Sequence, residues 1–136
     1  MTVNPETREL VLYRLNRANE AIQEAELLLN SNHVNTTVNR LYYACFYAAS
    51  AFLLAKGYSS PKLSGIRALL HQKLVKPGLI HLTEGQLYDR LFDSRQKSDY
   101  ADLVSFEADD VRLWLEEVRR FVGEIEVLTR HEMKNE

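Results

Sequence analysis

Apolar residues recur along this chain at alternating steps of three and four and never at steps of two, so helices are the regular elements with which it can enclose an interior. Val11, Leu15, Ala18, Ile22, Ala25 and Leu29 fall on one face of a helix running to about Asn30. Asn4-Pro5 stands just before it, and Asn caps a helix while Pro is accepted in its first turn. After a turn at Asn30-Ser31-Asn32-His33, a second helix runs from about Asn35 to Lys56 and is ended by Gly57. It carries two faces: Val38, Leu41, Tyr42, Cys45, Ala49, Phe52 and Leu53 on one, and Arg40, Tyr43, Tyr47, Ser50 and Leu54 on the other. The helix should therefore meet two sets of neighbours.

A short third helix spans Ser64 to about Val75, with Ile66, Leu69, Leu70 and Leu74 inward, and stops at Lys76-Pro77-Gly78. Thr83, with Gln86 three residues on, reads as the capping box of a fourth helix whose inner face is Leu87, Tyr88, Leu91, Phe92, Arg95 and Asp99. Ser105 reads as the cap of a last helix, with Glu107, Asp109 and Asp110 complementing its dipole. Its stripe is Val111, Trp114, Leu115, Val118, Phe121, Val122, Ile125 and Leu128, with a tail from about residue 131, Met133 to Glu136 included, expected to fray. The fold expected is all-α, an up-and-down antiparallel bundle of four to five helices forming one domain over residues 1–136.

A chain of 136 residues buries a sizeable core without metal or disulfide staples. With 17 Lys and Arg against 19 Asp and Glu, the net charge of -2 gives no molecule-wide attraction to nucleic acid, so any such contact must be local. The single cysteine, Cys45, cannot form an internal disulfide and sits in an apolar helical run, which suits a core residue in a reducing cytoplasm. No run approaches the about 18 apolar residues of a membrane span, and the first residues lack the pattern of a signal peptide, so a soluble, cytoplasmic protein is expected. His33, His71, His81 and His131 are scattered without paired ligand spacing, and neither a metal nor a cofactor is expected. Arg67 and His71 share a helix face and form a weak candidate for a phosphate contact.

Two segments carry more arginine and tyrosine than a helical core or a solvated face needs: Asn39-Arg40-Leu41-Tyr42-Tyr43-Ala44-Cys45-Phe46-Tyr47 and Ser94-Arg95-Gln96-Lys97-Ser98-Asp99-Tyr100. The guanidinium of arginine is always charged and its planar fork suits phosphate, so among aromatic neighbours it either pairs with a carboxylate or receives an anion. For Arg95 the plain reading is an ion pair with Asp99 one turn on; the functional one is that Arg95 holds a phosphate, Asp99 orients it and Tyr100 adds a hydroxyl. For Arg40 the plain reading is a face buried against another subunit, where Tyr and Arg are common anchors. The functional one has Tyr43 and Tyr47 stacking on RNA bases while Arg40 contacts phosphate.

Those two segments, with the stretch from Lys56-Gly57 to Gly78 that contains Ser64-Gly65, resemble the HEPN domain from about Arg14 to Leu128. The resemblance implies a helical bundle that dimerises and is often encoded beside a minimal nucleotidyltransferase as a toxin and antitoxin pair. Active members are metal-independent ribonucleases whose motif is an Arg followed, four to six residues later, by a His. Here Tyr100 stands five residues after Arg95, and Tyr47 seven after Arg40. The resemblance thus implies an RNA- or nucleotide-binding module using Arg40, Tyr43, Tyr47 and Arg95. The alternatives are an endoribonuclease in which Arg95, Asp99 and Tyr100 act with Tyr replacing His, and a protein interaction module without ligand chemistry.

Overall fold

The computed structural model describes residues 3–100 and 104–134, Tyr100 by its backbone alone. Five helices make the fold: α1 Pro5–Asn30, α2 Val34–Ala55, α3 Leu63–Leu70 prolonged by a π-helical turn His71–Val75, α4 Leu82–Tyr100 and α5 Ala108–Lys134. Among the described residues there is no strand.

Local chemistry sets most of the boundaries. The Asn4 side chain accepts the Thr7 amide at 2.8 Å and Pro5 opens α1, as its sequence implies. Asn32 takes the left-handed conformation that turns α1 into α2. Gly57, at φ 88°, closes α2 by letting the Tyr58 amide reach back to the Leu53 carbonyl at 2.7 Å. The π turn is marked by the Lys76 amide bonding to the His71 carbonyl five residues back.

Helix α2 is the centre of the bundle. Cross-links place α1 antiparallel to it: the Arg14 guanidinium reaches the Ser50 carbonyl, and Arg40 reaches Glu24. Antiparallel contact of α1 with α5 follows from Asn19–Glu126 and Arg119–Glu26. Close approach is possible because the facing positions are small: Ala18, Ala21 and Ala25 on α1, and Ala44, Ala48 and Ala49 on α2, are wholly buried. Around this seam Leu41, Tyr42, Leu53, Tyr88, Leu91, Phe121 and Ile125 fill the interior. Each such leucine, isoleucine or phenylalanine contributes about 1.5–3 kcal/mol by leaving water. All the inward residues expected on α1 and on the apolar face of α2 are buried; on the third and last helices Leu69, Trp114 and Leu128 are half-buried instead.

Three sequence expectations are corrected. Helix α4 starts at Leu82, before Thr83, because Glu84 rather than Gln86 folds back, its Oε1 accepting the His81 amide at 3.0 Å. Helix α5 starts at Ala108 rather than after Ser105. The Asn35 amide group donates to the Val104 carbonyl at 2.8 Å and Phe106 packs edge-on against Trp114, which pins this stretch outside the helix. The frayed tail from about residue 131 is replaced by helix as far as Lys134, with Met133 only 3% exposed beside Val11, Leu15, Ala51 and Ala55.

Candidate functional site

The two segments singled out by their arginines and tyrosines meet where α2 lies antiparallel to α4. Arg95 faces inward as expected from its place on the α4 stripe, and its guanidinium carbon lies 5.2 Å from the centre of the Tyr42 ring and 6.0 Å from that of Tyr43. Arg40 approaches the same Tyr43 ring, at 5.3 Å. One phenol ring is thus shared by two guanidiniums from two helices. Both arginines bury Nε with no hydrogen-bond partner. Nη1 of Arg95 donates to Asp99 at 3.1 Å, and Nη1 of Arg40 to Glu24 at 3.5 Å.

Exposure separates the two cations. The Arg95 side chain is 9% exposed, against 31% for Asp99; Arg40 is 22% exposed and Glu24 45%. Arg95 is therefore more enclosed than a waiting anion site would be, and Asp99 forms its outer wall. An anion reaching it would have to displace that carboxylate, whose position is also set by the Asn39 amide group at 3.4 Å. Tyr43 and Tyr47 are half-buried, their ring centres 6.2 Å apart along the α2 surface. The side chain of Tyr100 lies outside the described residues.

Beneath the site the aromatic packing is continuous. Tyr42 touches Phe46, Tyr88 and Phe92 with ring centres 5.8–6.2 Å apart, which fixes the rings that carry the arginines. Burial pushes the phenols of Tyr42 and Tyr88 above their ordinary value, most strongly for Tyr88, so both stay neutral. Burial likewise pushes the Cys45 thiol well up, as befits an unreactive core position.

Two asparagines one turn apart on α2 hold the α4–α5 connection: Asn39 grips Asp99 and Asn35 grips Val104. Sequence reading gave neither a role. It gave none to Glu24 or Arg17 either. Arg17 lies 5.2 Å from the Tyr47 ring, and its interaction with the Tyr47 hydroxyl holds it above its ordinary pKa. The signal was the antiparallel register, which sets position 17 across from 47 and position 24 across from 40.

The weak phosphate candidates on the third helix have carboxylate partners instead. His71 Nε2 is 2.9 Å from Asp89, and Arg67 is 3.8 Å from Asp93 while stacking on Phe92 at 4.2 Å. Gly85 admits the His71 ring, because a Cβ there would come within 2.9 Å of it. Two cavities, of about 220 and 190 Å³, lie elsewhere, one between the start of α4 and α5 at Glu84 and Glu124, the other at the start of α1. Among the described residues no three His, Cys, Asp or Glu are grouped to hold a metal ion, and no helix is long and apolar enough to cross a membrane.

A central helix bearing Arg40 and Tyr43, closed by an Arg-Asp pair on the next long helix, defines a helical module with its polar functional groups on one seam. The sequence model of the HEPN domain matches residues 11–128, and the chain belongs to the HEPN family. It is 40% identical over 123 residues to a UPF0332 protein of Thermotoga maritima, covering 90% of this chain and 93% of that one. It is also similar to two proteins of Methanocaldococcus jannaschii. One, named "Putative toxin MJ0142", is 23% identical over 80% of this chain and 74% of its own; the other, "Putative toxin MJ0605", is 25% identical over 90% and 96%.

Proposed function

We propose that this chain is a HEPN-type module that binds RNA or a nucleotide at the seam of α2 and α4, acting as the toxin-like half of a toxin and antitoxin pair. The observation that carries the reading is the sharing of the Tyr43 ring by Arg40 and Arg95, each with a buried, unbonded Nε. Arginine placed over an aromatic face is pre-oriented, and phosphate can take over the fork from a rim carboxylate without leaving the guanidinium unpaired. Arg40 makes the first contact, being the more exposed, and Arg95 adds charge from beneath once Asp99 yields. Tyr43 and Tyr47 offer ring faces to bases.

The names of the two archaeal relatives support the toxin side of the reading. A homodimer and a minimal nucleotidyltransferase as antitoxin are the partners proposed, in line with the family resemblance. The test is fluorescence anisotropy with a labelled single-stranded RNA, comparing the native chain with Arg40→Ala and Arg95→Met. Binding that falls at least about tenfold in Arg40→Ala, with unchanged circular dichroism, supports the reading, a charged contact being worth about 1.5–3 kcal/mol. No binding by the folded native protein, or binding by both variants equal to that of the native chain, refutes it.

A further inference from the structure

The Arg95–Asp99 pair is a poorer match than its burial calls for. An arginine and a carboxylate at their best join by two parallel bonds, the fork of one against both oxygens of the other. Here they meet at a single point, Nη1 of Arg95 donating to Oδ2 of Asp99 at 3.1 Å. The second oxygen, Oδ1, serves another helix, accepting from the Asn39 amide group of α2 at 3.4 Å. Nε of Arg95 is left buried with no acceptor, in a side chain only 9% exposed. A cation that has given up its water is stable only when its donors are bonded, so this unmade bond is a standing cost to the closed pair.

The ring faces of Tyr42 and Tyr43 lie against the guanidinium, and Asp99, at 31% exposure, is the member of the pair that meets water. Asp99 thus covers the open side of the cation without satisfying it. The two groups also differ in what release would mean for them. A freed Asp99 keeps water and Asn39 as donors, whereas a freed Arg95 needs a new anion. The contact is one that an incoming anion can replace at little loss to the carboxylate.

We propose that Asp99 is a built-in competitor: it holds Arg95 in a self-blocked state, Asn39 is the latch that retains it there, and a ligand oxoanion engages Arg95 only by displacing it. A phosphoryl group has three acceptor oxygens where Asp99 commits one, and so has the means to serve Nε and Nη1 together. This rests on the preceding reading of the Arg40 and Arg95 seam and adds its regulation: affinity is set from within the chain, by how firmly α2 holds the Asp99 carboxylate over the cation.

The experiment is calorimetric titration with inorganic pyrophosphate at constant ionic strength, repeated with the labelled single-stranded RNA used above. The proteins are the native chain, Asp99→Asn, which keeps the shape and removes the charge, Asn39→Ala, which removes only the latch, and Asp99→Asn combined with Arg95→Met. Thermal melts establish that each is folded. Asp99→Asn is expected to bind pyrophosphate at least about tenfold more tightly than the native chain, the factor that loss of one charged competing bond implies, and Asn39→Ala about threefold more tightly. Addition of Arg95→Met should abolish the gain. A purely structural pair would instead lower the melting temperature of Asp99→Asn and leave binding unchanged. Should Asp99→Asn fail to fold, Asn39→Ala decides in its place. A folded variant that binds neither probe more tightly than the native chain, or a gain that survives Arg95→Met, overturns the competitor; if native RNA binding still depends on Arg40, the preceding reading stands. Failure of every folded protein, Asp99→Asn included, to bind either probe overturns both.

Discussion

The Arg95–Asp99 pair should respond very differently to loss of its two members, and the direction of that difference follows from burial. Replacing Asp99 with Ala leaves a guanidinium that is 9% exposed, already lacking a partner at Nε, with no acceptor at Nη1. A fully buried pair broken in this way costs about 3–5 kcal/mol; discounting for the 31% exposure of Asp99, which lets water reach the vacated side, brings the expected cost to about 2 kcal/mol. Replacing Arg95 with Met leaves the opposite situation. The stranded group is then a partly exposed carboxylate that water and the Asn39 amide can satisfy, while the thioether takes the place of the arginine stem against Tyr42 and Tyr43. The lost cation–ring attraction, about 1 kcal/mol, is largely offset by removal of a cation from the interior, so a net change within about 1 kcal/mol is expected. Urea denaturation of the native chain and both variants reads the two numbers as shifts in midpoint at constant slope. An Arg95→Met variant that loses more stability than Asp99→Ala would refute the reasoning, since it would make the cation a net contributor to the fold.

Met133→Ala should cost about 2–3 kcal/mol by thermal or urea unfolding, because this side chain closes the small cluster with Val11 and Leu15; a change below about 0.5 kcal/mol would mean that the end of α5 does not hold the bundle. Hydrogen bonding to Glu84, together with burial and the Glu84 charge, raises the Glu124 carboxyl above its ordinary value in the folded chain. The folded state therefore binds more protons between the unfolded and folded pKa values, so this contribution is fully present at low pH and is lost as pH rises through the folded value. Glu124→Gln should accordingly flatten the fall in stability across that window, read from melting temperatures over a pH series, and an unchanged profile would refute the pairing.

How much of this was legible beforehand depended on whether one helix or two were needed to see it. The stripes of α1 and α2 are properties of single helices, and every inward residue expected there is buried. The inward place of Arg95 and its pairing with Asp99 were equally local, an i to i+4 relation. What remained invisible needed the register between helices: Glu24 opposite Arg40, Arg17 opposite Tyr47, and Asn35 and Asn39 reaching the α4–α5 connection. Capping at α4 and α5 was misplaced for a related reason. Thr83 and Ser105 have the right side chains, but the choice of cap fell to Glu84 folding back on His81 and to Phe106 docking on Trp114. The fate of Met133 was hidden because polar neighbours on α5 mask a single apolar residue whose partners lie at the start of α1.

The grip of Asn35 and Asn39 has an implication for anyone reshaping this protein. Both pegs stand on one rigid rod, about 6 Å apart, and between them they fix where the chain leaves α4 and where it resumes before α5. Asp99 and Val104 are therefore held from underneath by α2, in addition to the packing of Phe106 on Trp114 of α5. Substituting both asparagines should loosen Asp99 and Val104 together, whereas changes elsewhere that keep both asparagines, Asp99 and the Val104 carbonyl should leave these two anchor points in place.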